Sequence, residues 1–505
     1  KTPLQGKGIY TNILDLTDKF RGVSMIKSSG NTRKEKKMQD TKQLDLLRGR
    51  ILPTLVKLAL PIMATSFVGL AYTLTDMFWV STLGEHAVAG VGTGGILFWL
   101  SDSLFSVARV GGQVLVGQSL GAKEPEAARS WARSALRLGY AIAVVLTIIF
   151  LFFHEQLTDI FNFNDPATIA RSNTYLWIVG LAMIPRVGGR LYSSMLTASG
   201  NSFTPFVIFV TGLVINMVLD PLFILGFHMD VAGAALATLL SEMIAFILML
   251  VAIRRNDLFS DLGLVRAPLE PKRLKPIVKL GAPVSAQSAF HAIVTIIISR
   301  LIVRFGDLAV AAQRLGSQIE SISWMTADGF AIAVNAFMAQ NFGAREVGRV
   351  KHGYWSGFWL VSVLCATTTA ILFFFGGPIM ALFFKDPLAL EYGTNYLHVL
   401  SASQLLMGIQ LLTTSAFAAL GQSLVPSIVV TTLMVSRIPL ASYLSSTALG
   451  VNGIWWSFSI TTNVAGLILV IILPIYMRRL GKHLRPEASL CYDYSACEAP
   501  GEELE

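Results

Sequence analysis

Lys57-Leu58-Ala59-Leu60-Pro61 opens one long apolar stretch, and Lys279-Leu280-Gly281-Ala282-Pro283 opens another 222 residues later. The same offset of 222 carries Gly84-Glu85 onto Gly306-Asp307, and Gln118-Ser119-Leu120-Gly121-Ala122 onto Gln340-Asn341-Phe342-Gly343-Ala344. A constant separation across three blocks means that residues 57–122 and 279–344 are one unit written twice without an insertion. The next two apolar stretches of each half read as diverged. The match resumes where Gly200-Asn201-Ser202-Phe203-Thr204-Pro205 meets Gly421-Gln422-Ser423-Leu424-Val425-Pro426 at an offset of 221, and Val231-Ala232-Gly233 meets Val451-Asn452-Gly453 at 220. Each half is thus about 220 residues long.

The chain has 505 residues, 53% of them hydrophobic and 14% charged, with a mean hydropathy of +0.60, too apolar for a protein that folds in water alone. Apolar runs of about 20 residues or more, each able to cross a ~30 Å hydrocarbon core as a helix, recur twelve times. They lie near residues 53–80, 90–118, 131–153, 172–197, 204–225, 231–252, 276–303, 309–339, 353–374, 393–419, 426–447 and 453–477. Continuous runs of this length exclude a β-barrel, whose strands alternate, and those beyond the minimum imply tilt or kinks. The expected fold class is an all-α integral membrane protein: twelve transmembrane helices in two parallel-repeat six-helix bundles. Six crossings are an even number, so both copies share one orientation about an axis along the membrane normal, with a cavity between them. The expected organisation is an N-terminal segment 1–50, a first bundle 51–253, a linker 254–275, a second bundle 276–480 and a tail 481–505.

A net charge of +9 invites a nucleic-acid reading, but 31 of the 40 Lys and Arg fall in residues 1–57, 123–137, 254–279, 345–351 and 478–485. Twelve crossings bring those segments, with the 198–203 and 420–425 turns, to one side. The opposite connections, near 81–89, 154–171, 226–230, 305–308, 375–392 and 448–452, hold little beyond Arg171 and Lys385. By the positive-inside rule both termini are cytoplasmic, and the chain is a multi-pass protein of the inner or plasma membrane that binds no nucleic acid. Cys365, Cys491 and Cys497 make no metal or disulfide framework; the last two are expected as free thiols. They sit in a tail that turns acidic at Glu498, Glu502, Glu503 and Glu505 and is expected to be disordered. The first ~45 residues lack the apolar core of a signal peptide.

An ionisable group at mid-membrane depth costs several kcal/mol, so each one inside a span is a functional candidate. Asp76 lies 15 residues after Pro61, roughly 22 Å along the first helix. Asn216 and Asp220, four apart, share a face of the fifth, and Thr238 follows the small residues Gly233-Ala234-Ala235 in the sixth. These are hard oxygen ligands, suited to Na⁺ or H⁺ and joined by no His or Cys. Two carboxylates held together in a low dielectric resist double ionisation, which makes a proton switch; the plain alternative is that the four groups bond one another to hold three helices together. In the second half the corresponding positions are Ile298, Arg437, Ala441 and Phe458, so the fold itself does not require the polar set.

Other charges have structural readings beside functional ones. Asp102 and Arg109, seven apart on the second helix, are expected as an ion pair. Arg186 and Arg190 line the cavity or snorkel to an end of the fourth helix, and Glu242, one turn after Thr238, is expected to back up the acidic site. Glu320 and Asp328, with Arg314 and Gln318, form a candidate polar patch on the eighth helix, and His291 on the seventh reads as a packing residue. Tyr72, Trp79, Phe98, Trp99 and Trp324 are placed to meet flat organic cations or simply to pack and face lipid.

With the repeat and the acidic set established, the chain resembles the multidrug and toxic compound extrusion (MATE) transporters. The resemblance rests on Leu60-Pro61, Thr75-Asp76 before Leu83-Gly84, the two Gln-x-x-Gly-Ala turns, Asn216-x-x-x-Asp220-Pro221 and Val231-Ala232-Gly233-Ala234-Ala235-x-Ala237-Thr238, spread over residues 50–480. It implies a V-shaped pair of six-helix bundles and antiport of organic, cationic and amphipathic small molecules against Na⁺ or H⁺, without enzymatic chemistry or a resident cofactor. It also implies a monomer embedded in lipid, a coupling site on Asp76, Asn216, Asp220 and Thr238, and a bending proline at Pro61. Further acidic residues of some branches on the seventh and tenth helices have no match here: the first neighbourhood offers only His291, and 393–419 contains none. A flippase for lipid-linked precursors is the alternative, kept open by Arg109, Arg186 and Arg190. An ATP-driven pump lacks a Gly-x-x-x-x-Gly-Lys-Ser/Thr loop, and a channel lacks a filter sequence.

Overall fold

The computed structural model describes residues 44–264, 267–268 and 270–483. The basic N-terminal segment before residue 44, Cys491, Cys497 and the acidic tail lie outside the described residues. Residues 1–44 and 45–505 are separate units, and all the helices described belong to the second.

Among the described residues all regular structure is helical. The first half comprises α1 (Ile51–Ser81), α2 (Glu85–Gly121), α3 (Pro125–Phe152), α4 in two pieces (Pro166–Leu181 and Met183–Ala198), α5 (Phe203–Pro221) and α6 (Asp230–Arg254). The second comprises α7 (Pro271–Val303), α8 (Asp307–Gly343), α9 (Val347–Ala381), α10 (Pro387–Ala419), α11 (Leu424–Ser445) and α12 (Val451–His483). Eleven described spans are long and apolar enough to cross a membrane on their own. The remaining crossing, α4, differs from the continuous helix expected over 172–197. Pro185 cannot donate to the Leu181 carbonyl and its ring crowds it, so the helix breaks at Ala182. A short helix, His154–Asp159, precedes α4, and α5 closes in a π-helical turn, Leu222–Gly226, directly after Pro221. Pro61 and Pro283 sit inside unbroken helices at matching positions. Near the first, the Thr65 hydroxyl donates to the Pro61 carbonyl at 2.8 Å.

Helix pairing follows the duplication. In the first half α1 packs on α5 and α5 on α6, with α4 against α2 and α6; in the second α7 packs on α11 and α11 on α12, with α10 against α8 and α12. The halves meet through their first two helices: α1 lies on α8, α7 on α2, and α2 on α8.

At the end of the bundle carrying the basic segments, the two Gln-x-x-Gly-Ala turns interlock reciprocally. Gln118 donates to the Ala419 carbonyl at 2.8 Å and Gln340 to the Ala198 carbonyl at 2.6 Å. A Cβ on Gly121 would collide with the Gln340 carbonyl oxygen, and one on Gly343 with that of Gln118. Gly343→Ala is therefore expected to pry this junction apart and lower the melting temperature of the purified protein by several degrees. Gly348→Ala, where a methyl meets open space, should leave it unchanged; equal melting of the two variants would contradict the reciprocal lock.

Basic residues at the same end also make structural bonds. Arg129, Arg133 and Arg137, spaced four apart on one face of α3, donate to the carbonyls of Leu258 at 2.7 Å, Leu262 at 2.7 Å and Leu264 at 3.0 Å, fastening the linker to the first half. The linker ends at Glu270, whose carboxylate accepts from the Ser130 hydroxyl and Arg273. The Ser130 hydroxyl first, then Arg273 and Arg133, hold that carboxyl below its ordinary range.

Candidate functional site

The packing of α1 on α5 and of α5 on α6 brings Asp76, Asn216, Asp220 and Thr238 together inside the first half. The Asn216 amide donates to Asp76 Oδ1 at 3.4 Å and to Asp220 Oδ1 at 3.2 Å, and the Thr238 hydroxyl donates to Asp76 Oδ2 at 3.4 Å. Asn216 and Asp220 are 0% exposed, Thr238 2% and Asp76 8%. The bonds are long for their type, and two acceptors inside the group, Asn216 Oδ1 and Asp220 Oδ2, have no donor at all. Buried polar atoms nearly always find a partner. Facing carboxylates with spare oxygens in a dry interior are a site in which a small cation or a proton relieves repulsion. Carboxylate, amide and hydroxyl oxygens are hard donors, a set whose chemistry suits an alkali cation or a proton better than a soft transition metal.

Two side chains absent from the sequence reading complete the surroundings. Tyr175 on α4 is buried within electrostatic reach of Asp76 and Asp220. Its ring lies against Gly94 of α2, where a Cβ would overlap it. In the second half Tyr396 lies on Gly316 in the same way, and the pairs are related by offsets of 221 and 222. The repeat thus runs through the fourth helix as well, contrary to the divergence expected there; Asn173-Thr174-Tyr175-Leu176 against Thr394-Asn395-Tyr396-Leu397 is the signal that marks it. The second addition is Ser241, whose hydroxyl shares a 2.5 Å hydrogen bond with Tyr72 and ties α1 to α6 one turn from Asp76.

Four expectations are corrected. Asp102 does not pair with Arg109. It accepts from Arg186 at 3.2 and 3.4 Å, with Arg190 4.0 Å away. Glu242 does not back up the acidic site but accepts from the same Arg186 at 2.9 Å. Arg186 therefore does not snorkel: it stands between two carboxylates, with its guanidinium 4.7 Å from the Phe98 ring centroid. The patch proposed on α8 also divides. Glu320 turns inward, accepting from Tyr396 at 3.0 Å and Gln404 at 3.1 Å, while Arg314 and Gln318 are exposed. Asp328 lies within electrostatic reach of Arg109 across the halves. His291 stands edge-on to Trp99, ring centroids 5.7 Å apart, as a packing contact between α7 and α2. Trp99 and Trp324 are each 42% exposed.

A profile of the MatE family matches residues 61–222 and 283–444, one segment in each half. A probable multidrug resistance protein NorM from Thermotoga maritima is 27% identical over 415 residues, 79% of this chain and 87% of that protein. The multidrug export protein MepA of Staphylococcus aureus is 22% identical over 444 residues, 88% of this chain and 98% of its own length. Among solved structures, MATE in the bent conformation superposes with a TM-score of 0.82 at 23% identity, covering 87% of this chain and 98% of that one. The outward-facing conformation of a multidrug resistance MATE transporter superposes at 0.81 and 23% identity, covering 87% and 99%.

Proposed function

Because the chain belongs to the MatE family of transporters, we propose that it is a secondary active antiporter exporting organic, cationic and amphipathic small molecules in exchange for Na⁺ or H⁺. The observation that carries this reading is the buried group of Asp76, Asn216, Asp220 and Thr238, with two acceptor oxygens left without donors. The names borne by its relatives, multidrug resistance and multidrug export proteins, support the substrate class. A cation or proton entering between Asp76 and Asp220 draws α1 and α5 together; its departure leaves two facing carboxylates that push them apart. Such a site drives alternating access only through its different affinity for the cation in the two states. Pro61, which deprives α1 of one backbone bond, is where that helix bends most cheaply.

The test is uptake of a fluorescent cationic dye into proteoliposomes with Na⁺ and H⁺ gradients imposed independently. Uptake that follows one of them identifies the coupling ion, and indifference to both refutes antiport. Pro61→Ala restores the missing donor and stiffens α1. It is expected to slow turnover about tenfold, a little over 1 kcal/mol of barrier, while dye affinity changes by less than twofold; equal losses in both would refute the hinge.

A further inference from the structure

The helices that open the two halves, α1 and α7, are each reached through a segment clamped to the opposite half, and the two clamps are unlike. The segment ahead of α7 is fastened to α3 by Arg129, Arg133 and Arg137, and it sinks Phe259 and Leu262 into the core of the first half. The segment ahead of α1 crosses to the second half, where two side chains hold it. Asn341, at the end of α8 and 0% exposed, donates to the Leu46 carbonyl at 3.0 Å. Arg349, in the first turn of α9, donates from one Nη to the Gly49 carbonyl at 3.2 Å and from the other to the Leu46 carbonyl at 3.3 Å. Its Nε donates to Asn341 Oδ1 at 3.0 Å, so the two side chains act as one unit. A cation in the first turn of a helix works against the helix dipole, and this one is spent on the carbonyls of a distant segment. Leu46 is itself 1% exposed, and the Asp45 carboxylate curls the chain there by accepting from the Leu47 and Arg48 amides at 2.9 and 3.1 Å. At the offset of 222, Asn341 and Arg349 correspond to Ser119 and Ala127, so the first half carries no such pair. The helix α1 is thereby tied to both halves: its start to α8 and α9, and Asp76 to α5 and α6, with Pro61 between the two ties.

We propose that Arg349 and Asn341 form a latch that holds the start of α1 to the second half while the basic end of the bundle is closed, and that releases it when that end opens. The inference rests on the transport reading above. With its start fixed, α1 takes up a change at Asp76 by bending at Pro61; with its start free, the helix follows the first half and the basic end parts. Of the two clamps this is the one built to yield, because it holds by three bonds to carbonyls and one buried leucine, whereas the linker is held by three arginines and a buried aromatic ring. Arg349 is a positioning residue in this scheme. It acts through the start of α1 and touches no transported species.

The test uses the full chain with its three cysteines replaced (Cys365→Ala, Cys491→Ser, Cys497→Ser). Into this background Arg48→Cys and Arg349→Cys are introduced and bridged with a reducible bifunctional thiol reagent. Arg48 is used rather than its neighbour Gly49, whose φ of +87° strains any side chain. In proteoliposomes the bridged protein is expected to lose about tenfold or more in dye transport, as when a gating motion is blocked, and to regain it when the bridge is reduced. Transport unaffected by the bridge overturns the proposal, since a contact that never opens can be made covalent without loss. The second arm is Arg349→Gln with no bridge. Removing the latch raises the share of molecules open at the basic end, and apparent affinity scales with the share that is competent to bind, so the KM for dye presented at that end should fall about threefold. A merely structural arginine would lower transport at constant or raised KM, and either of those results overturns the proposal. Should the paired cysteine variant fail to accumulate, the KM of Arg349→Gln decides alone. A wild-type protein indifferent to both gradients would refute antiport, yet dye moving down its own gradient still requires the basic end to open, and the bridge then tests the latch on that movement.

Discussion

Asp76→Asn is expected to abolish gradient-driven dye transport while the protein still accumulates and folds. The asparagine oxygen can accept from Asn216, and its amide can donate to the Thr238 hydroxyl, so the hydrogen bonds that join α1 to α5 and α6 survive in altered form. What is lost is the negative charge, and with it the ability of the site to distinguish a loaded from an unloaded state. A ligand that no longer discriminates between two conformations shifts nothing, however well it binds. The expected result is a loss of at least ~100-fold in driven flux, on the order of 3 kcal/mol of coupling, with melting close to wild type. Full driven transport in the variant would remove Asp76 from the mechanism, and absence of the folded protein would make Asp76 structural.

Arg186→Met is expected to act in the opposite way, on the fold before the function. Arg186 alone joins Asp102 of α2 to Glu242 of α6, with side-chain exposures of 14%, 29% and 15%. Methionine fills much of the same space but leaves two half-buried carboxylates facing one another. Removing one partner of a buried pair costs about 3–5 kcal/mol, reduced here because Asp102 keeps some contact with solvent and with Arg190. A marked drop in melting temperature and in membrane accumulation should follow. The triple variant Arg186→Met/Asp102→Asn/Glu242→Gln should recover most of it, and its failure to do so would show that Arg186 acts by shape rather than by charge.

What could be read from the sequence divides along a physical line. Periodic and local features were legible. Apolar length gave the spans, fixed offsets exposed the duplication, and the four-residue spacing of Asn216 and Asp220 placed both on one face. Asp76 and Thr238 were legible for a different reason: carboxyls and hydroxyls absent from the second copy stand out once the copies are aligned. What stayed hidden depends on which helices touch. Asp102 meets Arg186 because α4 lies on α2, a pairing that spacing along α2 does not reveal; nearness in sequence points to Arg109 instead. Nearness along α6 likewise points Glu242 at the acidic site, whereas its partner lies on α4. Pro185 marks the break at Ala182, but hydropathy is blind to a missing donor. Tyr175 and Tyr396 escaped because a phenol is unremarkable in an apolar helix until the glycine beneath it, on another helix, is known.

The central claim is that duplication built a symmetric frame and only its first half senses the ion. The measurement that bears on it most directly is cation-driven dye uptake, under the gradient that drives the wild type, in Asp76→Asn/Asp220→Asn and in Glu320→Gln side by side. Uptake should lose all dependence on the gradient in the first variant and keep it in the second. Driven uptake surviving without both first-half carboxylates, or lost with Glu320 alone, would place the ion site in the second half and contradict the claim.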